Sequence, residues 1–197
     1  EEHTGGIVFA KTNAQARREG AAQYSDGDFH SVECFRAKWA DIYTPGPVPI
    51  LALVENGWWH ECTGCGRRCS YDEDDGGEPI NPVEDSNGLF CTPACQVEFY
   101  REKTEIAYLS AVAIDTEKRR LSRILPGCVI AESAHVYTKV HHGVRYVHQI
   151  RLNFTFPGCA IGPASWGFNK VGEQPYASVC NGDLAAWELW RATKEIV

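Results

Sequence analysis

The sequence contains no methionine. No apolar run in it approaches the roughly 18 residues that a bilayer-spanning helix needs. Its opening residues, Glu1-Glu2-His3-Thr4-Gly5-Gly6, carry neither a basic region nor an apolar stretch, so no signal peptide is expected there. With no initiator methionine, native residues can precede this start. Also missing are a phosphate-binding P-loop, the glycines of a dinucleotide fold, a G-x-S-x-G elbow and an H-E-x-x-H helix. Each absence removes one common enzyme class. The net charge of -7 argues against bulk non-specific DNA binding, which rests on many basic contacts to phosphate.

What is present suits a folded chain. Of 197 residues, 44% are hydrophobic and 22 are aromatic, enough for one compact domain or a small module fused to a medium one. Charge is uneven. Residues 61–100 hold nine acidic against two basic side chains, while residues 101–197 hold twelve basic against nine acidic. Nine cysteines is an odd number, and paired cysteines without a leader point to metal or redox chemistry in a reducing compartment. A cytoplasmic location is the expectation.

The pattern predicts a strand at Ile7–Lys11, then a helix to Tyr24 opened by the capping box Thr12-Asn13-Ala14-Gln15. Alternation at Phe29–Arg36 predicts a second strand. Three prolines break the chain at Tyr43–Pro49, and Ile50–Glu55 can form a helical turn. Thr92 can cap, and Pro93 start, a helix running to Leu125, with or without a break, ahead of Pro126-Gly127. His142-Gly143 fits a hairpin turn between strands at Val129–His141 and 144–156. Uniform alternation in the second strand puts Val144, Tyr146, His148 and Ile150 on one face and Arg145, Gln149 and Arg151 on the other. Pro157–Pro175 reads as a loop, and Asp183 can cap a last helix carrying Leu184, Trp187 and Trp190 on one side.

Five of the nine cysteines fall between His60 and Glu102. Cys62 and Cys65 are separated by two residues on a turn where Gly64 and Gly66 suit positive φ. Cys91 and Cys95 straddle the start of the long helix, whose dipole and unpaired N–H groups favour thiolates. Four such thiolates around one tetrahedral ion make a closed structural zinc site with no open coordination position. Cys69 and His60 are alternative ligands; Cys69 otherwise packs as a small apolar residue. Cys34, Cys128, Cys159 and Cys180 read as core residues.

The run Cys62-Thr-Gly-Cys65, then Phe90-Cys91-Thr92 and Cys95 with Phe99 in the following helix, resembles the FCS-type, TRASH-like zinc fingers of the treble-clef group. The resemblance covers about 45 residues and implies a treble-clef module holding zinc. The interval between the cysteine pairs is longer than usual for that group and contains the acidic run Asp72–Glu78. Gly57-Trp58-Trp59 ahead of the knuckle is similar to small uncharacterised temperate-phage proteins, which implies a host-cell cytoplasm and a host protein as partner.

Other constellations compete. His135, His141, His142 and His148 fall within 14 residues and suit a second metal site or ordinary core and turn positions. Lys139, Arg145 and Arg151 can form a nucleic-acid-contacting strip or a solvated sheet face. A deaminase is excluded by the wrong zinc pattern. A treble-clef nuclease would centre on His60, but no histidine follows Cys95 in the helix.

The expectation is an α+β fold in three parts. These are a strand–helix–strand segment at 1–57, a treble-clef module at 58–102, and an α+β domain with hairpin and terminal helix at 103–197. The expected function is that of a non-enzymatic, zinc-stabilised binding protein of phage type, acting as an inhibitor of a host protein. Trp58, Trp59 and the acidic Asp72, Glu73, Asp74 and Asp75 would make the partner surface, the acidic loop imitating phosphate charge. A nucleic-acid-binding regulator and a metal nuclease are the alternatives.

Overall fold

The computed structural model describes residues 5–71 and 80–193. The chain divides into two compact units, Glu1–Phe99 and Tyr100–Val197. The fold is α+β, with helices and antiparallel sheets as the sequence implies. No helix among the described residues is long and apolar enough to cross a membrane.

The first unit opens with helix α1 (Asn13–Tyr24), whose N-cap Thr12 accepts from the Gln15 N–H. The strands expected at Ile7–Lys11 and Phe29–Arg36 join no sheet. For the second the cause lies in the helix before it. Arg17 of α1 donates to the carbonyls of Phe29 and Val32, both at 2.9 Å, and stacks its guanidinium over the Phe29 ring. Asn13 takes the Cys34 carbonyl at 3.3 Å. Carbonyls that a ladder would use are thus bound by side chains. A 3-10 turn over Lys38–Tyr43, not foreseen from sequence, leads to helix α2 (Ile50–Glu55). The free N–H groups of Ile50 and Leu51 are satisfied by Glu84, 3.0 and 2.8 Å away.

Two small hairpins follow. Strand β1 (His60–Glu61) pairs with β2 (Arg68–Cys69), and β3 (Val83–Asp85) pairs with β4 (Gly88–Phe90). Val54, Cys62, Cys69, Leu89, Phe90 and Cys91 make the core of this unit. Helix α3 (Pro93–Ile124) then runs 32 residues without a break, and Gly127 leaves it with φ of 90°.

The second unit is a four-stranded antiparallel sheet in sequential order: β5 (Val129–His141), β6 (Val144–Thr155), β7 (Ala164–Phe168) and β8 (Tyr176–Ser178). Strand β7 lies inside the stretch expected to be a loop. Its glycine and prolines mislead, because Gly167 is there for contact: a Cβ on it would sit 1.9 Å from the Ile150 carbonyl oxygen. Leu121 of α3 and Leu125 just beyond it share a core with Ile150, Leu152, Phe154, Trp166, Trp187 and Trp190. The two last tryptophans come from helix α4 (Leu184–Ala192).

The hairpin turn falls where expected. His141 pairs with Val144, and His142 and Gly143 take φ of 49° and 77°, the geometry of a type I′ turn. The uniform alternation expected for β6 does not hold. Tyr137 pairs with Gln149 but Thr138 pairs with Val147, so His148 is an extra residue, a β-bulge. One extra residue inverts the facing of everything before it. Val147 therefore packs on the core that Ile150 and Leu152 build, and Arg145 leaves the face it was expected to share with Arg151.

Candidate metal centre

The two hairpins and the first turn of α3 carry the thiols. Cys62 follows β1 and Cys91 follows β4, both buried, while Cys95 enters from α3 and Cys65 sits exposed on the knuckle. The Sγ atoms of all four lie within 4.8 Å of one another. Cys62 and Cys95 are 3.5 Å apart, and Cys65 and Cys91 are 3.7 Å apart. Thiolate–metal bonds of about 2.3 Å set tetrahedron edges of about 3.8 Å. The donor set and its spacing thus fit a four-coordinate thiolate-bound metal ion.

Backbone geometry presses the cage together. The Arg67 carbonyl takes the Cys62 N–H, the Cys62 carbonyl takes the Gly66 N–H, and the Thr63 N–H reaches the Leu89 carbonyl in the second hairpin. Gly66 has φ of 73°, as expected for the turn. Gly64 does not take positive φ; its hydrogen is needed for room, since a Cβ there would lie 2.8 Å from Cys95 Sγ. Thr92 caps α3 by accepting from the Cys95 N–H at 3.1 Å, and Phe90 and Phe99 pack ring to ring below, 5.2 Å between centroids.

The electrostatics select Cys62 as the first thiolate. Burial pushes its thiol up, yet N–H groups of Cys65, Cys91 and Gly64 and the Cys95 thiol outweigh this and bring it down to about 6. The Cys91 and Cys95 thiols are pushed up, by burial first and then by donating to neighbouring sulfurs. Four thiolates this close repel without a cation between them, which is the chemical argument for a metal.

Cys69, an alternative ligand on sequence grounds, is fully buried beside the cage but outside the group of four. Its thiol is pushed up to about 11 by burial and by the charges of Cys62, Cys91 and Cys65. It fills core space, its sulfur 3.8 Å from the Arg67 carbonyl. His60 is exposed on β1 opposite Cys69 and does not join the thiols. Comparison with family models, with curated proteins and with solved structures gives no match.

The remaining candidates scatter. Among the described residues no second cluster gathers three ligand groups. His135 pairs with Arg151, His141 and His142 stack at the hairpin tip, and His148 lies edge-on to Tyr137 and Tyr146 with its Nδ1 buried and without a hydrogen bond. Arg145 pairs with Glu102 and with Glu105, the latter at 3.5 Å, and only 13% of its side chain is exposed. Arg151 contacts Asn169 at 3.4 Å, and Lys139 stands 5.8 Å from the Tyr137 ring. Trp58 and Trp59 line a cavity of about 490 Å³ together with His60, and Arg68 lies 5.3 Å from the Trp59 ring. The acidic residues Asp72, Glu73, Asp74 and Asp75 fall outside the described residues.

Sequence reasoning missed one polar node. Asp183 was expected to cap α4, yet its side chain makes no cap bond. Its carboxylate turns back to accept from the N–H groups of Ala160, Ile161 and Gly162 at 3.0 to 3.3 Å, and from the thiols of Cys159 and Cys180. The Ala160 N–H leads the effects that, against burial, bring its acid down to about 2. The signal available was the pair Cys159 and Cys180 flanking a glycine-rich loop, which was read as plain core.

Proposed function

We propose that the chain is a non-enzymatic binding protein whose first unit is stapled by a structural zinc ion on Cys62, Cys65, Cys91 and Cys95. The observation that carries this reading is the gathering of four protein thiols within 4.8 Å. Such a cage fills every position of a tetrahedral ion and leaves none for a substrate or an activated water. Zinc is preferred because tetrahedral sulfur-only sites take zinc or iron, and the resemblance to FCS-type fingers implies zinc. A short, hairpin-built unit gains from such a staple the order that a small core does not supply.

A binding protein acts through surface, and the partner we assign is a protein. The resemblance to temperate-phage proteins supports a host factor and an accessory or inhibitory role. The nucleic-acid reading has less support, because Arg145 is engaged with Glu102 and Glu105. The nuclease reading has less as well, because among the described residues His60 joins no group of three ligand side chains.

The test uses the intact zinc-loaded chain. Expected are no Mg²⁺-dependent cleavage of DNA or RNA, no salt-sensitive retention of either, and a stoichiometric complex with a protein from the native host that re-forms from purified components. Cleavage lost in His60→Ala would assign the chain to the nucleases instead.

A further inference from the structure

The cavity of the first unit has a wall of unusual make-up. Residues 5–10, Gly-Gly-Ile-Val-Phe-Ala, run without helix, turn or bend. They make no backbone–backbone hydrogen bond among the described residues, although residues 6–10 are half-buried. Gly5, Gly6, Ile7 and Phe9 line the cavity, and Trp58 and Trp59 line it too. A half-buried apolar run with its amides unmade is the condition of a strand that lacks a neighbour.

The glycines lay this backbone bare. A Cβ on Gly5 would touch the Trp58 ring at 3.7 Å, and one on Gly6 would collide with the Tyr24 hydroxyl at 1.9 Å. Rings therefore close directly onto main chain. The cavity volume of about 490 Å³ falls in the range of roughly 300–1,000 Å³ that accommodates specific ligands.

Charge narrows the occupant. Among the described residues no Lys, Arg, Asp or Glu lines the cavity; its polar groups are those of Gln23, the Tyr24 hydroxyl, His60 and the two indoles of Trp58 and Trp59. An acidic or basic group would lose water there without a counter-charge, and a phosphate would find no cation. The unmade row of N–H and C=O groups calls for a ligand offering the complementary row, which is the main chain of a peptide.

We infer that this cavity takes an uncharged, apolar, extended segment of a partner protein, which adds as a strand to residues 5–10 with its side chains between Phe9 and the Trp58–Trp59 pair. This deepens the binding function proposed above and rests on it.

The test starts from a display library of ten-residue peptides selected against the full zinc-loaded chain. Support requires that the recovered peptides be uncharged over their central residues. Binding must slow amide exchange at residues 5–10, and N-methylation of alternate peptide amides must weaken it about tenfold or more. Trp59→Ala, exposed enough to leave zinc content and melting unchanged, should weaken it by a similar factor. Recovery of charged peptides, affinity indifferent to N-methylation, or protection of residues 5–10 through self-association in ultracentrifugation would each overturn the inference. A host protein that binds while residues 5–10 stay unprotected would sink the strand but leave the binding reading standing. Nucleic-acid cleavage with no protein complex would sink the binding reading itself.

Discussion

The indole N–H of Trp166 donates to the Glu117 carboxylate at 2.9 Å inside the core of the second unit. Glu117 is 6% exposed and Trp166 5%, so neither group has water to fall back on. Arg120 lies 3.9 Å from the other carboxylate oxygen. Glu117→Ala strands the indole donor and should cost about 1–3 kcal/mol of stability. Glu117→Gln keeps an acceptor and should cost less. Urea titration of both variants checks the order; equal losses would mean that packing, not the hydrogen bond, carries the effect.

Metal content is the most direct check on the first unit. The purified chain should hold a single zinc ion, and Cys62→Ser, Cys91→Ser or strong chelation should remove it and abolish the cooperative melting of that unit. Cys69→Ser should retain the ion, because its sulfur lies outside the group of four. Elemental analysis beside calorimetry reads both. Loss of metal in Cys69→Ser would rewrite the ligand set.

Gly64→Ala probes the cage from the side. The added methyl would meet Cys95 Sγ at 2.8 Å and the Cys95 carbonyl oxygen at 3.2 Å, so backbone must yield. A cost of about 1–3 kcal/mol follows, with weaker metal retention in competition with a chromogenic chelator. Gly57→Ala, which meets nothing within 4 Å but, unlike Gly64, carries positive φ at 86°, shows by contrast what backbone strain costs without a clash.

The Asp183 node predicts a pH dependence. Its folded-state acid is lowered to about 2 from an ordinary 3.8. A depressed acid stabilises the fold above its unfolded value and gives that up as pH falls through the folded one. Asp183→Asn should therefore melt several degrees below the parent at pH 7, and the gap should narrow between about pH 4 and pH 2. A gap that stays constant over that window would remove the charge from the explanation.

Arg145 and Arg151 should part company. Arg145→Ala strips the partner from Glu102 and Glu105, and with both acids half exposed a loss of about 1 kcal/mol is expected. Arg151→Ala should stay within about 0.5 kcal/mol. Thermal melts of the pair give the answer, and equal effects would contradict the bulge at His148.

Much of this was readable from the sequence, and the failures share a cause. Helices announced themselves through Thr12, Thr92 and the Pro126-Gly127 stop because caps act within a few residues. The hairpin tip at His142-Gly143 was equally local, and so was the thiol spacing. The misses came from partners distant in sequence. Arg17 took the carbonyls that residues 29–36 would have offered a neighbour, and Asp183 answered residues 160–162 rather than its own helix. At Gly167 what matters is a facing carbonyl from β6, which no count of glycines in a loop can reveal. The bulge was hidden for another reason: both phases of β6 alternate correctly, and one residue between them carries no mark.

That residue makes β6 two ribbons spliced out of phase. Mutational tolerance along it should switch parity at position 148, with even positions constrained toward the C-terminal end and odd positions toward the hairpin tip. Deleting His148 would bring Val147 and Gln149 together opposite the adjacent Thr138 and Tyr137, so the tip would keep its facing and only the local bend would be lost.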